Sequence, residues 1–162
     1  MKTKTIITEL SQEDLVNLLS TATFGSYRWT ATIAKGTRQL LDIQPGDCRE
    51  DVWAKALLAG YPIYITDHDA EGVTYGDRGT VDHEDDDESA IYTTRLEDIT
   101  AGLQSAMDGD FAPNDEDEVE LAARCAMHLR DESCCAFDAV EADILLQIIL
   151  FGTIVYGTIV YG

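Results

Sequence analysis

Hydrophobic residues recur along this chain with two different periods, and the changes from one to the other mark its elements. Thr3–Leu10 has strand character, and Ser11 then offers a hydroxyl to cap a helix whose first turn carries Glu13 and Asp14. Leu15, Leu18, Leu19 and Ala22 fall on one face of that helix, which spans Gln12–Thr23. Tyr27, Trp29, Ala31 and Ile33 alternate with Arg28, Thr30 and Thr32, the period-two pattern of a half-buried strand. A turn at Pro45-Gly46-Asp47 leads to a second helix over Glu50–Ala59, closed by Gly60. Tyr61–Thr66 is strand-like, with Pro62 placing it at a strand start or a sheet edge.

An acidic connection follows, near residues 76–89, and Ala90–Arg95 resumes a strand. Thr94 and Glu97 have capping-box spacing and open a third helix that runs to Met107 and ends at Gly109. A second acidic loop, 108–117, precedes a fourth helix over Asp117–Leu129. Asp138 and Glu141 open a fifth, whose Ile144, Leu145, Ile148 and Ile149 are apolar enough to be buried. The order predicts one α+β domain over 1–162: a small, mostly antiparallel sheet with about five helices packed on it, and an apolar tail over 152–162. The apolar run ending at Leu150 is broken by Gln147 and is far short of the about 20 residues that span a bilayer. With no apolar stretch of secretory-signal length after the opening lysines, the chain reads as soluble and cytoplasmic, without membrane association. Cys48, Cys125, Cys134 and Cys135 are then expected to be reduced, packing as small hydrophobes.

Charge changes this picture most. Residues 1–60 hold seven Lys/Arg and seven Asp/Glu, but residues 61–162 hold four against twenty-four, so the whole net charge of −20 lies in the later part. Self-repulsion on that scale destabilises a compact state, and a partner with a positive surface would explain why it is retained. Six of the seven residues in Asp82–Glu88 are acids, and five of the six in Asp115–Glu120. The second run has a local role, because carboxylates in a first helical turn each contribute about 0.3–1 kcal/mol against the helix dipole. The first has none, and two readings stand for it: a solvated loop, or a contact surface.

The chain is poor in other chemistry. Asp67, Asp69, Glu71 and Gly72 match the first half of a calcium loop, but Arg78 occupies the position where a bidentate Glu is needed. Cys125 and His128 stand one helical turn apart, half of a metal site that no second pair completes. Neither a Gly-x-Ser-x-Gly elbow nor a phosphate-cradling glycine loop occurs, and with thirty-one acids a carboxylate pair has no diagnostic value. No cofactor and no catalytic residue is expected. Direct nucleic-acid binding is opposed by the charge, whereas carboxylates spaced like phosphates could occupy a basic nucleic-acid groove.

The sequence Thr-Ile-Val-Tyr-Gly occurs twice in succession, at 153–157 and 158–162. It is uncharged and strongly β-forming, so it reads as a final strand packed on the domain and lengthened by duplication, or as an element pairing with another subunit or partner. The layout of Glu9–Leu15, Tyr27-Arg28-Trp29, an acidic middle and Ala142–Gly157 resembles a group of small acidic proteins encoded by phages and mobile elements of gut bacteria. The likeness is strongest over 9–29 and 137–157, and residues 158–162 depart from that pattern. The resemblance implies a counter-defence context, including anti-CRISPR inhibitors that imitate DNA, and carries over no active-site residue.

The expectation is therefore a non-enzymatic inhibitor that binds the basic groove of a host nucleic-acid-binding protein, with a CRISPR effector nuclease as first candidate. Asp82, Glu84, Asp85, Asp86, Asp87 and Glu88 form the first contact, Asp115, Glu116, Asp117 and Glu118 the second, and Tyr75 and Tyr92 flank the first as aromatic anchors. The alternatives are a protein that sequesters a nucleotide immune signal, which would need Arg28, Lys35 and Arg38 gathered with Trp29, and a structural or regulatory phage component, a homo-oligomer through the tail.

Overall fold

The computed structural model describes residues 9–24, 27–82, 88–111, 116–130 and 137–156, so the strand expected over Thr3–Leu10 lies almost wholly outside the described residues. In chain order the elements are α1 (Gln12–Phe24), β1 (Trp29–Thr32), α2 (Lys35–Leu40), α3 (Arg49–Leu58), β2 (Ile63–Asp67), β3 (Gly79–Asp82), β4 (Ser89–Thr94), α4 (Leu96–Asp108), α5 (Glu116–Leu129) and α6 (Ala139–Phe151). The fold is α+β, with a four-stranded antiparallel sheet in the order β1-β2-β4-β3.

The helix starts follow from their caps. Ser11 Oγ accepts the Asp14 N–H at 3.1 Å while Asp14 Oδ2 accepts the Ser11 N–H at 3.0 Å, closing the first turn of α1. Asp138 and Glu141 form the same reciprocal arrangement at the start of α6. For α4 the expected Thr94–Glu97 pair is displaced by one residue: Arg95 is the cap, and its N–H donates to Asp98 Oδ2 at 2.8 Å. Thr94 is drawn away because its side chain is buried, with Oγ1 donating to the Tyr92 carbonyl at 3.2 Å.

The alternation read from β1 holds from Trp29 onward, with Trp29 and Ala31 facing inward, but Tyr27 lies outside the strand and is fully exposed. Ala31, Ile65, Tyr92 and Gly79 lie side by side across the four strands, and Trp29, Asp67 and Ala90 form the neighbouring inward row. The opposite face presents Thr30, Thr32, Tyr64, Thr66, Ile91 and Thr93, half-buried or exposed. Two elements are additions to the expected order. β3 lies within the stretch read as an acidic loop near 76–89, and α2 is a six-residue helix.

At the centre is α6. Every residue from Glu141 to Phe151 is buried, and the helix packs on α1, α4 and α5 while its last residue, Phe151, meets Trp29 and Tyr92 of the sheet at ring separations of 6.0 and 5.3 Å. Each fully buried Leu or Ile of such a helix stabilises the fold by about 1.5–3 kcal/mol. The α4–α6 crossing is close because Gly102 has no side chain: a Cβ there would stand 2.5 Å from Ile149 Cγ1 and 2.6 Å from Ile149 Cα. Arg78, just before β3, holds the far end of α6 by donating to the Ile149 carbonyl at 2.6 Å and the Thr93 carbonyl at 3.0 Å. At Gly152 the backbone turns left-handed, with φ of 75°, and ends the helix.

Replacing Gly102 by Ala should gain about 1 kcal/mol of helix propensity but lose about 1–3 kcal/mol to overpacking against backbone that cannot retreat. Urea unfolding is expected to give a net loss of stability; a net gain would contradict the close crossing.

Candidate functional site

The acidic runs occupy the ends of regular elements. Asp82 is the last residue of β3 and pairs with Ser89, the first of β4, so the two strands bring both ends of the run at 82–88 to one end of the sheet. Glu88 is exposed and has a positive φ of 48°, and its backbone carbonyl accepts the Gly72 N–H at 2.8 Å. Glu84, Asp85, Asp86 and Asp87 lie outside the described residues, as does Asp115. Glu116, Asp117 and Glu118 form the first turn of α5, the first two exposed and Glu118 half-buried. Of the two flanking tyrosines, Tyr92 is not a surface anchor. Tyr92 is fully buried and its hydroxyl accepts the Tyr75 N–H at 2.9 Å, while the Tyr75 ring is half-buried against Phe151 at 5.2 Å. Both rings face inward because their neighbours across the sheet and on α6 are the core itself.

A second constellation, buried and polar, joins residues 28 to 156. Asp143 and Gln147 stand one turn apart on α6, both buried, and need partners there. Asp143 Oδ1 accepts the Trp29 indole N–H at 2.6 Å, and its two oxygens each lie 3.4 Å from Arg28 Nη1. Gln147 Nε2 donates to Asp143 Oδ2 at 3.1 Å, and its Oε1 accepts two consecutive backbone N–H groups, Val155 at 3.0 Å and Tyr156 at 2.9 Å. The Tyr156 hydroxyl donates to Asp67 Oδ2 at 2.7 Å, and Asp67 Oδ1 accepts the Asp69 N–H at 3.0 Å. The Arg28 guanidinium lies 4.2 Å from the centre of the Tyr156 ring, and its Nε donates to Asp69 Oδ2 at 3.2 Å.

Burial raises the Asp67 carboxyl above its ordinary value, although the Tyr156 hydrogen bond works in the other direction. Burial and the same bond push the Tyr156 phenol up, so Tyr156 remains the donor. In the half calcium loop the acids diverge, since Asp67 points into the core and Asp69 pairs with Arg28. The cationic cluster required for nucleotide capture does not converge either: Arg28 is held by two carboxylates, and Lys35 and Arg38 are exposed on α2.

Cys125 and His128 both meet Glu141. His128 Nδ1 and Glu141 Oε2 are 2.6 Å apart, and burial, followed by the adjacent Glu141 carboxylate, raises the Cys125 thiol well above its ordinary value. A thiol held protonated is a poor nucleophile and a poor metal ligand. Among the described residues no group of three or more His, Cys, Asp or Glu is arranged to hold a metal ion, and no helix is long and apolar enough to cross a membrane. Cys134, Cys135 and His83 lie outside the described residues.

Sequence reasoning missed the Asp143–Gln147–Tyr156–Asp67 constellation. Its one local signal is the pair of polar residues, Asp143 and Gln147, interrupting an otherwise apolar helix four positions apart. No known protein family, no curated protein and no solved structure matches this chain.

Because the folded state raises the Asp67 carboxyl above its ordinary value of 3.8, it binds that proton more tightly than the unfolded chain does. The corresponding stability is complete below 3.8 and is lost as pH rises through the folded value. Asp67→Asn removes this dependence, so unfolding measured from about pH 3 to about pH 7 should show the variant improving against the parent as pH rises. A constant difference would contradict the assignment. In the folded protein at neutral pH, iodoacetamide should label exposed Cys48 far ahead of buried Cys125; equal labelling followed by mass spectrometry would contradict the placement of Cys125.

Proposed function

We propose that this protein is a non-enzymatic inhibitor whose acidic surface occupies the basic nucleic-acid groove of a host protein, with a CRISPR effector nuclease as first candidate. One observation carries the reading: with eleven Lys and Arg against thirty-one Asp and Glu, twenty carboxylates have no counter-charge in the chain even if every cation is paired once. The later part makes the imbalance sharper, because three of its four arginines donate to backbone carbonyls of the fold. Arg78 holds the carbonyls of α6, Arg95 donates to the Gly60 carbonyl at 3.1 Å, and Arg130 donates to the Glu9 carbonyl at 2.9 Å.

Negative charge concentrated at a hairpin end and a helix start suits a partner rich in Lys and Arg. Such a surface accelerates encounter through long-range attraction and suits a target built to hold phosphates. The likeness in layout to acidic phage-encoded proteins supports the same reading, with action in the host cytoplasm as part of the proposal. Sequestration of a nucleotide draws no support from Arg28, Lys35 and Arg38, which do not gather around a common space.

The test is a pull-down from host lysate with the tagged full chain, eluted by a salt gradient. Recovery of a nucleic-acid enzyme that its own DNA or RNA displaces is the expected result. Neutralising Asp85, Asp86 and Asp87 together to Asn, or Glu116→Gln with Asp117→Asn, should leave folding intact and weaken retention roughly tenfold. Retention that is insensitive to both salt and these substitutions would overturn the proposal.

A further inference from the structure

The last described residues, Thr153–Tyr156, sit in a site that reads sequence. Ile154 is 6% exposed, so its side chain fills an apolar position. Gln147 Oε1 takes the next two backbone N–H groups, at 3.0 and 2.9 Å, which fixes the path of the chain. The Tyr156 ring lies under the Arg28 guanidinium at 4.2 Å and meets Phe151 edge-on at 5.9 Å, and its hydroxyl reaches Asp67 at 2.7 Å. An apolar side chain, two consecutive amides and a phenol are therefore recognised in order: Ile, Val, Tyr. Valine contributes chiefly its backbone, whereas phenylalanine in place of tyrosine would leave Asp67 Oδ2 without its donor.

Residues 158–162 repeat residues 153–157 without change. The site's contacts with Ile154, Val155 and Tyr156 are contacts that Ile159, Val160 and Tyr161 can reproduce atom for atom. The difference between the two is the tether. With the first copy bound, the chain enters directly from Gly152; with the second bound, residues 153–157 form a five-residue loop between Gly152 and Thr158. Loops of that length are ordinary connections. Closing one disfavours the second arrangement by roughly tenfold.

We propose that the cleft formed by Gln147, Asp67 and Arg28 is a binding site for an Ile-Val-Tyr segment, and that Ile159–Tyr161 exchange with Ile154–Tyr156 in it within one chain. The first copy occupies the site most of the time and the second holds it for about one molecule in ten. Exchange moves Ile154, Val155 and Tyr156 out of the site while the rest of the fold keeps its polar partners. The site is thus one receptor with two identical ligands on the same chain, and the second copy acts as a reserve when the first is removed.

Redundancy is the measurable consequence, and urea unfolding of the full chain reads it. Tyr161→Ala alone should leave the folding equilibrium constant unchanged. Tyr156→Ala should lower it by no more than roughly tenfold, because the second copy takes over. Removing both tyrosines should cost about a hundredfold, since Asp67 Oδ2 then loses its hydroxyl donor and the ring contacts go as well. Tyr161→Ala is therefore silent in the parent and damaging in the Tyr156→Ala background. If it is silent in both backgrounds, the second copy never enters the site and the proposal fails. The same four-protein comparison with Phe in place of Ala keeps the test available should the double Ala variant fail to fold, with the same pattern expected and the same result overturning it. Stability of Tyr156→Ala that rises with protein concentration would mean that the replacement comes from a second molecule, which overturns exchange within one chain.

Discussion

A helix buried on all sides has to satisfy its polar side chains without water, and in this protein that requirement organises the rest. From Glu141 to Phe151 no residue of α6 reaches solvent appreciably, yet three of them are polar. Glu141 is satisfied by capping its own helix and by His128 on α5. Asp143 and Gln147 are satisfied from the other side, by Trp29 and Arg28 of the β1 region and by the backbone of 155–156. Apart from the cap, these bonds link α6 to different parts of the molecule, so the helix determines where the sheet edge, α5 and the chain after Gly152 must lie. An unsatisfied buried carboxylate would cost several kcal/mol, which makes these partners requirements and not ornaments of the packing.

The scaffold and the acidic surface are consequently built from different residues. The groups that hold the core together are apolar side chains, caps and the few buried polar residues. The acidic runs sit where elements begin or end, at the β3–β4 hairpin and the first turn of α5. Helix-start acids assist their own helix slightly, but the acids of these two runs repel one another, and the buried polar network draws on other carboxylates, Asp67, Glu141 and Asp143. Such a surface suits the cationic partner of the proposed function.

Much of the fold was legible because its signals are local. The caps at Ser11 and Asp138 and the apolar faces of α1 and α6 lie within a few residues of the elements they define, as does the ending of α4 at Gly109. β3 was not legible, since Gly79-Thr80-Val81-Asp82 is four residues long and merges into the acid run. It is a strand because β4 offers it an edge, and it begins with glycine where the Tyr92 ring lies against it. α2 was hidden by Gly36 and Thr37, weak helix formers within six residues. The tyrosines misled for the opposite reason. Proximity in sequence to the acids put Tyr75 and Tyr92 at the surface, but the period of β4 turns Tyr92 inward. The polar constellation draws on residues 28, 67, 143, 147 and 156, and no local pattern in the sequence links positions that far apart.

On the proposed function, the acidity burdens the fold and serves a partner outside it. The most direct test is the unfolding free energy of the protein alone as a function of sodium chloride, from about 0.01 M, where charges interact over about 30 Å, to about 1 M, where they interact over about 3 Å. If the carboxylates only repel, stability rises steadily as salt screens them. Stability that falls with salt would mean that ion pairs among these residues hold the fold together, and the acidic surface would then be structural.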